Sequence, residues 1–294
     1  MNIGYFADGP WGHRTFEMIN SDSNFNIKFI CVRHDSSDPI FKNYCNNFQI
    51  DYLKVKNINS SNFIQKIKKY ECDLFVSMSF NQIFGLEIIN LPPKKTINCH
   101  AGKLPFYRGR NILNWALIND EVEFGITVHY MDKGIDTGDI ILQKTYPISD
   151  SDNYSTLLKK SYEECPKLLL EAVNKIRNNE VEIIKQKDIH LTGFYCSQRK
   201  KGDEIIDWNQ SSRSIFNFIR AICSPGPRAR TFHGENEVFI NQSEFLERAP
   251  KYIGLPGVVL NKNEDELLVK TKDSFIKILD WESNSFLKIG SRLK

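Results

Sequence analysis

The chain predicts an α/β fold: a doubly wound, mostly parallel sheet followed by a small β-rich C-terminal domain. Three observations point there. From Ile3 to about Ile184, short apolar runs alternate with polar stretches of helical spacing, the pattern of successive βαβ units. Residues 185–204 then form a polar connection of mixed charge. Beyond it, apolar segments between Gly254 and Trp281 alternate with turn residues as hairpin strands do.

In chain order, strands are expected at Ile3 to Ala7, Ile27 to Val32, Leu74 to Met78, Thr96 to Asn98, Ile126 to Met131 and Ile140 to Tyr146. Between them, Phe63, Ile64 and Ile67 have helical spacing, as do Ile112, Leu113, Ala116 and Leu117. A longer helix runs from about Tyr154 to Arg177 on an apolar side of Leu157, Leu158, Leu168, Leu169 and Val173, and Pro166 predicts a kink or break in it. A helix around Ser211 to Cys223 leads to the turn Ser224-Pro225-Gly226-Pro227, and the hairpin strands lie at 258–260, 267–269 and 275–278. The expected division is a first domain over 1–190 and a second over 200–294.

Bulk properties narrow the partner. The chain has 294 residues with 39 basic and 36 acidic side chains, a formal net charge of +3, so it lacks a strong electrostatic footprint for nucleic acid or an anionic membrane. A small-molecule partner is expected. The chain enters a strand-like run at once, without a basic segment and apolar region of a secretory signal, and no apolar stretch approaches spanning length, so a cytoplasmic location is expected. The seven cysteines are widely spaced and form no C-x-x-C pair, which reads as reduced structural thiols. Metal-ligand spacing, a P-loop and a G-x-S-x-G elbow are missing, so no metal is expected. Asp8-Gly9-Pro10-Trp11-Gly12-His13 follows the first strand, but it lacks the G-x-G-x-x-G spacing of a nicotinamide site.

The chemistry gathers between Ile97 and Ile141. Asn98 and His100 are two apart at the end of a predicted strand, so their side chains leave one face of the sheet, at the carboxyl end where ligands collect in open α/β sheets. Asp136 follows in the turn Gly134-Ile135-Asp136-Thr137-Gly138. Transfer of an acyl group to an amine develops negative charge on the carbonyl oxygen and releases a proton from the amine. An amide donor, an imidazole and a carboxylate answer those needs: Asn98 supports the oxyanion, His100 takes the proton as general base, and Asp136 orients and polarises His100. Singly, each residue fits a cap or turn as well; the joint pattern favours the reactive reading.

Asn98-x-His100, then Leu104-Pro105-x-Tyr107-Arg108-Gly109, a helix bearing Trp115, Gly125-Ile126-Thr127-Val128-His129 and Asp136-Thr137-Gly138 together resemble the N10-formyltetrahydrofolate-dependent formyltransferase family. The likeness is close from Ile97 to Tyr146 and looser over the rest of the first domain. It implies a Rossmann-like formyltransferase fold, a catalytic first domain, N10-formyltetrahydrofolate as co-substrate, a triad of Asn98, His100 and Asp136, and a homodimer. It also implies a folate slot, reached mainly through backbone atoms, at Met78, Ser79, Phe80, Asn81, Gln82 and Ile83 on one side and Lys133, Gly134 and Ile135 on the other.

The run from Asn98 to Asn111, with Phe218-Ile219-Arg220-Ala221 ahead of the Pro225 turn, most resembles the branch that formylates dTDP-linked 3- or 4-amino sugars for surface polysaccharide synthesis. A sugar nucleotide is therefore the expected partner, without nucleic acid or membrane. Lys103, Tyr107 and Arg108, just past His100, are expected to contact its diphosphate side, although Arg108-Gly109 also suits a turn. Trp11 is expected to stack on the sugar nucleotide, with burial in the core as the competing reading. Methionyl-tRNA formylation is the main alternative. Residues 200–294 carry 15 basic and 13 acidic side chains, a weak surplus for gripping RNA. Hydrolysis of the same folate by the same triad, and a non-catalytic folate- or RNA-binding module, are the further alternatives.

Overall fold

Strand β1 (Asn2–Ala7) is buried along nearly its whole length, which suits a central strand covered on both faces. The computed structural model describes all residues, 1–294. It continues through α1 (Gly9–Asn20), β2 (Asn26–Val32), α2 (Pro39–Phe48), β3 (Asp51–Lys54), α3 (Ser61–Lys68), β4 (Leu74–Met78), α4 (Leu86–Ile89), β5 (Thr96–His100), β6 (Arg108–Gly109), α5 (Ile112–Ile118), β7 (Glu123–Tyr130) and β8 (Ile140–Pro147). The remainder is α6 (Tyr154–Asn178), α7 (Gln186–Ile189), β9 (Tyr195–Cys196), α8 (Ser212–Ile222) and five strands, β10 (Ala229–His233), β11 (Asn236–Glu244), β12 (Val259–Lys262), β13 (Leu267–Lys270) and β14 (Phe275–Ser283).

The chain packs as two units, one of Met1–Gly109, Phe124–Tyr146 and Lys159–Tyr195, the other of Arg110–Glu123, Pro147–Leu158 and Cys196–Lys294. The first holds a seven-stranded sheet in the order β3-β2-β1-β4-β5-β7-β8. Strands β3 through β5 are parallel, and β7 runs antiparallel to β5. The mostly parallel, doubly wound sheet expected from the alternating pattern is therefore present. Its order reverses between β1 and β4, which sets a crevice at their carboxyl ends. Phe6 anchors the core beneath, edge-on to Phe29, Phe75, Phe80 and Phe84 at 4.9–5.7 Å between ring centres. Burying one such ring stabilises the fold by about 1.5–3 kcal/mol.

Helix α2 begins on two start signals in the sequence: Asp38 accepts the Phe41 N–H and Pro39 occupies the first turn. Helix α6 corrects an expectation. It runs through Pro166 as one element of 25 residues, without the expected break. Proline removes only one backbone donor, and buried side chains on both sides of it, Leu157, Cys165, Leu168 and Leu169, hold the two arms in register.

In the second unit, β10-β11-β14-β13-β12 form an antiparallel sheet, confirming the β-rich C-terminal part. The hairpin pattern anticipated β12, β13 and β14 but not β10 and β11, whose Arg, His, Asn and Glu residues obscure the alternation. Helix α8, capped by Ser211 onto the Ser214 N–H, packs on β11 and on α5. No helix is long and apolar enough to cross a membrane.

Candidate active site

Strand β5 delivers Asn98 and His100 from the sheet interior, with Asn98 opposite His129 of β7 across the antiparallel ladder. His129 closes the Gly125–His129 run that the sequence places on a strand. It is buried, and it also stands at the centre of the site: its Nε2 lies 3.4 Å from Asn98 Nδ2 and 3.6 Å from Asp136 Oδ1. The antiparallel pairing of β5 with β7 creates this contact, and a single chain read for a parallel sheet gives no sign of it. The His100 Nδ1 lies 3.6 Å from Asp136 Oδ2, so one carboxylate faces both imidazoles.

Backbone carbonyls fix the protons. His100 Nε2 is 2.7 Å from the Tyr107 carbonyl, and His129 Nδ1 is 2.8 Å from the Tyr130 carbonyl. A carbonyl only accepts, so each of those nitrogens carries hydrogen, leaving His100 Nδ1 and His129 Nε2 as the basic nitrogens of the neutral rings. Asn98 then donates an N–H to His129 Nε2, which orients its carboxamide. The 3.6 Å separations from Asp136 are electrostatic contacts, longer than hydrogen bonds.

Local sequence chemistry makes this geometry accessible. Asp136 sits at φ 54°, a left-handed conformation that Asp tolerates better than most side chains. Tyr107 also adopts φ 54°, which costs on the order of 1–3 kcal/mol for so bulky a residue, and its carbonyl is the one that meets His100. A Cβ on Gly102 would lie 2.5 Å from His100 Nε2 and 2.6 Å from the Tyr107 oxygen, so only glycine leaves room for that hydrogen bond.

Asp136 is largely buried, which by itself pushes its carboxyl pKa up. The positive charge that His100 can carry outweighs that, together with charge from His129 and a hydrogen bond from the Gly109 N–H at 2.9 Å. The net result is a carboxyl held well below the usual range, ionised at neutral pH.

The other residues singled out in the sequence fall in varied surroundings. Met78 is buried at the end of β4. Ser79 turns the chain at φ 59°, Phe80 packs beside Phe6 and Phe84, and Asn81 donates to Asp35. Gln82 bridges the Ile58 N–H and the Val55 carbonyl. On the second segment, Gly134 N–H and the Thr137 hydroxyl both donate to Asp132, closing the turn that carries Lys133 and Ile135. Phe80 of the first segment packs against a buried core cluster, as does Met131, two positions ahead of Lys133. Ile83 and Ile135 are 71% and 52% exposed.

Among the residues expected to meet the acceptor, Tyr107 is buried and meets His100 through its carbonyl, while Lys103 lies against Gly125. The Arg108 guanidinium is buried too and engages Gln186 through Nε and Nη2 at 3.0 and 2.6 Å. Trp11 rests edge-on against Tyr162 at 4.5 Å and donates to the Ser161 hydroxyl at 3.2 Å, half-buried on α6. A cleft of about 900 Å³ on the C-terminal sheet, lined by Phe232, Phe239 and Trp281 among others, contains none of the reactive residues. No group of three or more His, Cys, Asp or Glu is placed to hold a metal ion.

A doubly wound sheet with Asn98 and His100 at the carboxyl end of β5, faced by Asp136 from a turn, is an arrangement suited to acyl transfer. Residues 23–173 match the formyl transferase family model and residues 199–286 match that of the formyl transferase C-terminal domain. The chain belongs to the formyl transferase family, whose co-substrate is N10-formyltetrahydrofolate. Its relatives include the methionyl-tRNA formyltransferase of Thermodesulfovibrio yellowstonii, 36% identical over 222 residues, covering 76% of this chain and 69% of the relative. Two solved structures extend the likeness. WlaRD, a sugar 3N-formyl transferase crystallised with dTDP and 5-N-formyl-THF, superposes with a TM-score of 0.71 at 20% identity, covering 98% of this chain and 99% of that one. A 4-N formyltransferase from Francisella tularensis superposes at 0.66 with 25% identity, covering 81% and 96%.

Proposed function

We propose that this formyltransferase passes the formyl group of N10-formyltetrahydrofolate to the amine of a nucleotide-linked amino sugar, with Asn98, His100 and Asp136 as its reactive centre. The observation that carries the chemistry is the convergence of those three side chains, with the Asp136 carboxylate facing His100 Nδ1 at 3.6 Å. The bound donor supplies an acyl carbon whose oxygen gains negative charge as the amine adds to it. Asn98, steadied through one N–H by His129, turns its amide to that oxygen. His100 takes the amine's proton at Nδ1, because Nε2 is already protonated against Tyr107. The ionised Asp136 stabilises the resulting imidazolium, which returns the proton to the donor's N10 as the N10–formyl bond breaks, releasing tetrahydrofolate and the formylated amine. The donor's ring would be held by the 78–83 segment and by 133–135, between the exposed Ile83 and Ile135.

The nature of the acceptor rests on charge. In the second unit, Arg213 pairs with Asp120 and Asp150, Arg228 with Glu282, Arg230 with Glu204 and Glu237, and Lys277 with Glu266. Cations neutralised by carboxylates release few counterions from an RNA backbone, which supports a small acceptor. The likeness to sugar formyltransferases over nearly the full length points the same way. Methionyl-tRNA is the second reading, favoured by the 36% identical relative. Parallel incubations with the formyl donor and either a panel of dTDP- and UDP-amino sugars or methionyl-tRNA separate the two. A mass gain of one formyl unit on a sugar nucleotide is expected. Formylation of methionyl-tRNA alone would replace this acceptor with the second, and formate release without any acceptor would make the protein a hydrolase.

A further inference from the structure

Gln186 opens the short helix α7 and is buried, at 3% exposed. The chain arrives there through a bridge in which Ile140 and Ile184 exchange backbone hydrogen bonds of 2.8 and 3.0 Å, setting Gln186 beside the turn that carries Asp136. All of its side-chain polar capacity is directed. The carboxamide oxygen accepts from Arg108 Nε and Nη2 at 3.0 and 2.6 Å. The carboxamide nitrogen donates to the carbonyls of Asp136 and Gly138, both at 2.8 Å. The amide orientation is unambiguous, since a guanidinium only donates and a carbonyl only accepts.

We propose that Gln186, itself fixed by Arg108, is the positioning residue for Asp136: it clamps the Asp136–Gly138 backbone so that the carboxylate stays aimed at His100. This rests on the reading of Asp136 as part of the reactive centre. Asp136 sits at φ 54° and its carboxylate is 3.6 Å from both imidazoles, so a small rotation of the turn removes both contacts. Of the side chains of this size, only an amide presents an acceptor to Arg108 and donors to two carbonyls at once. A carboxylate at 186 keeps Arg108 satisfied but sets an oxygen against two carbonyl oxygens.

The decisive variant is therefore Gln186→Glu, compared with Asp136→Asn and the native protein in the donor-plus-acceptor assay. The expected result is a kcat at least tenfold lower, KM for both substrates within about twofold, a melting temperature near native, and a displaced ionisation in the pH profile of kcat/KM. Pure structural loss would leave that ionisation in place. If Gln186→Glu is unstable, Arg108→Leu with Gln186→Met removes both partners and leaves no buried charge unpaired; the same fall in kcat is expected. Native kcat and an unmoved pH profile in either stable variant, while Asp136→Asn is inactive, would overturn the clamp alone. Full activity in Asp136→Asn would overturn the Asp136 reading and the clamp with it.

Discussion

The His100 imidazole is held between two oxygens of opposite use: the Tyr107 carbonyl at 2.7 Å from Nε2 and the Asp136 carboxylate at 3.6 Å from Nδ1. The first fixes the tautomer. The second sets negative charge opposite the remaining nitrogen.

Replacing His100 with Gln puts an amide nitrogen where Nε2 stood, keeps a donor for the Tyr107 carbonyl and removes the base. Formyl transfer should slow by about 100- to 10,000-fold, the usual worth of positioned acid–base catalysis, with the fold intact. Steady-state kinetics beside a thermal melt check this; native kcat would remove His100 from the mechanism.

Asn98→Ala deletes the proposed oxyanion donor. The expected loss is about 2.7–4 kcal/mol of barrier, on the order of 100- to 1,000-fold in kcat, with donor affinity little changed. Because Asn98 also donates to His129, a crystal structure of the variant should show the His129 ring still on the Tyr130 carbonyl.

His129→Phe leaves Asp136 with one imidazole and Asn98 without its acceptor. Stability should fall by about 1–3 kcal/mol, the cost of unsatisfied buried polar groups, and kcat should fall as Asn98 loses its orientation. Denaturant melts and kinetics on the same preparation test both parts; a change in neither would make His129 a bystander.

The depressed Asp136 carboxyl has a defined pH signature. A carboxyl whose folded pKa lies below its unfolded value, about 3.9, contributes stability that is fully present above that value and disappears as pH falls through the folded pKa. Native protein should therefore exceed Asp136→Asn by a margin that is present at about pH 5 and shrinks below about pH 4. Urea midpoints across that range would expose a flat difference, the contrary result.

Gly102→Ala places a methyl within 2.5 Å of His100 Nε2. The His100–Tyr107 hydrogen bond should open, and the histidine's proton should no longer be confined to Nε2. Tautomer-sensitive NMR of labelled histidine reads this directly, and kcat should drop at least tenfold.

The sequence carried much of this. Alternating apolar runs required parallel βαβ units because buried strands need apolar residues on both faces, and the spacing of Asn98 and His100 put both on one side of a strand. Asp136 was legible because a turn of Gly134 and Gly138 marks where the chain must reverse. His129 was not. Its importance comes from the antiparallel partner of β5, and pairing partners are set by the sheet order rather than by local pattern. Gln186 escaped for the same reason, lying 50 positions beyond Asp136 in a polar stretch that reads as a connection.

By itself, then, the sequence determined the fold class and the family and singled out Asn98, His100 and Asp136, since periodicity and residue type are local properties. Tertiary structure alone decided which nitrogen of His100 is basic, that one carboxylate serves two imidazoles, and that Arg108 turns inward to Gln186. Each of these depends on backbone carbonyls and side chains brought together from distant segments, and hydrogen bonds of about 3 Å are settled only when the chain has closed on itself.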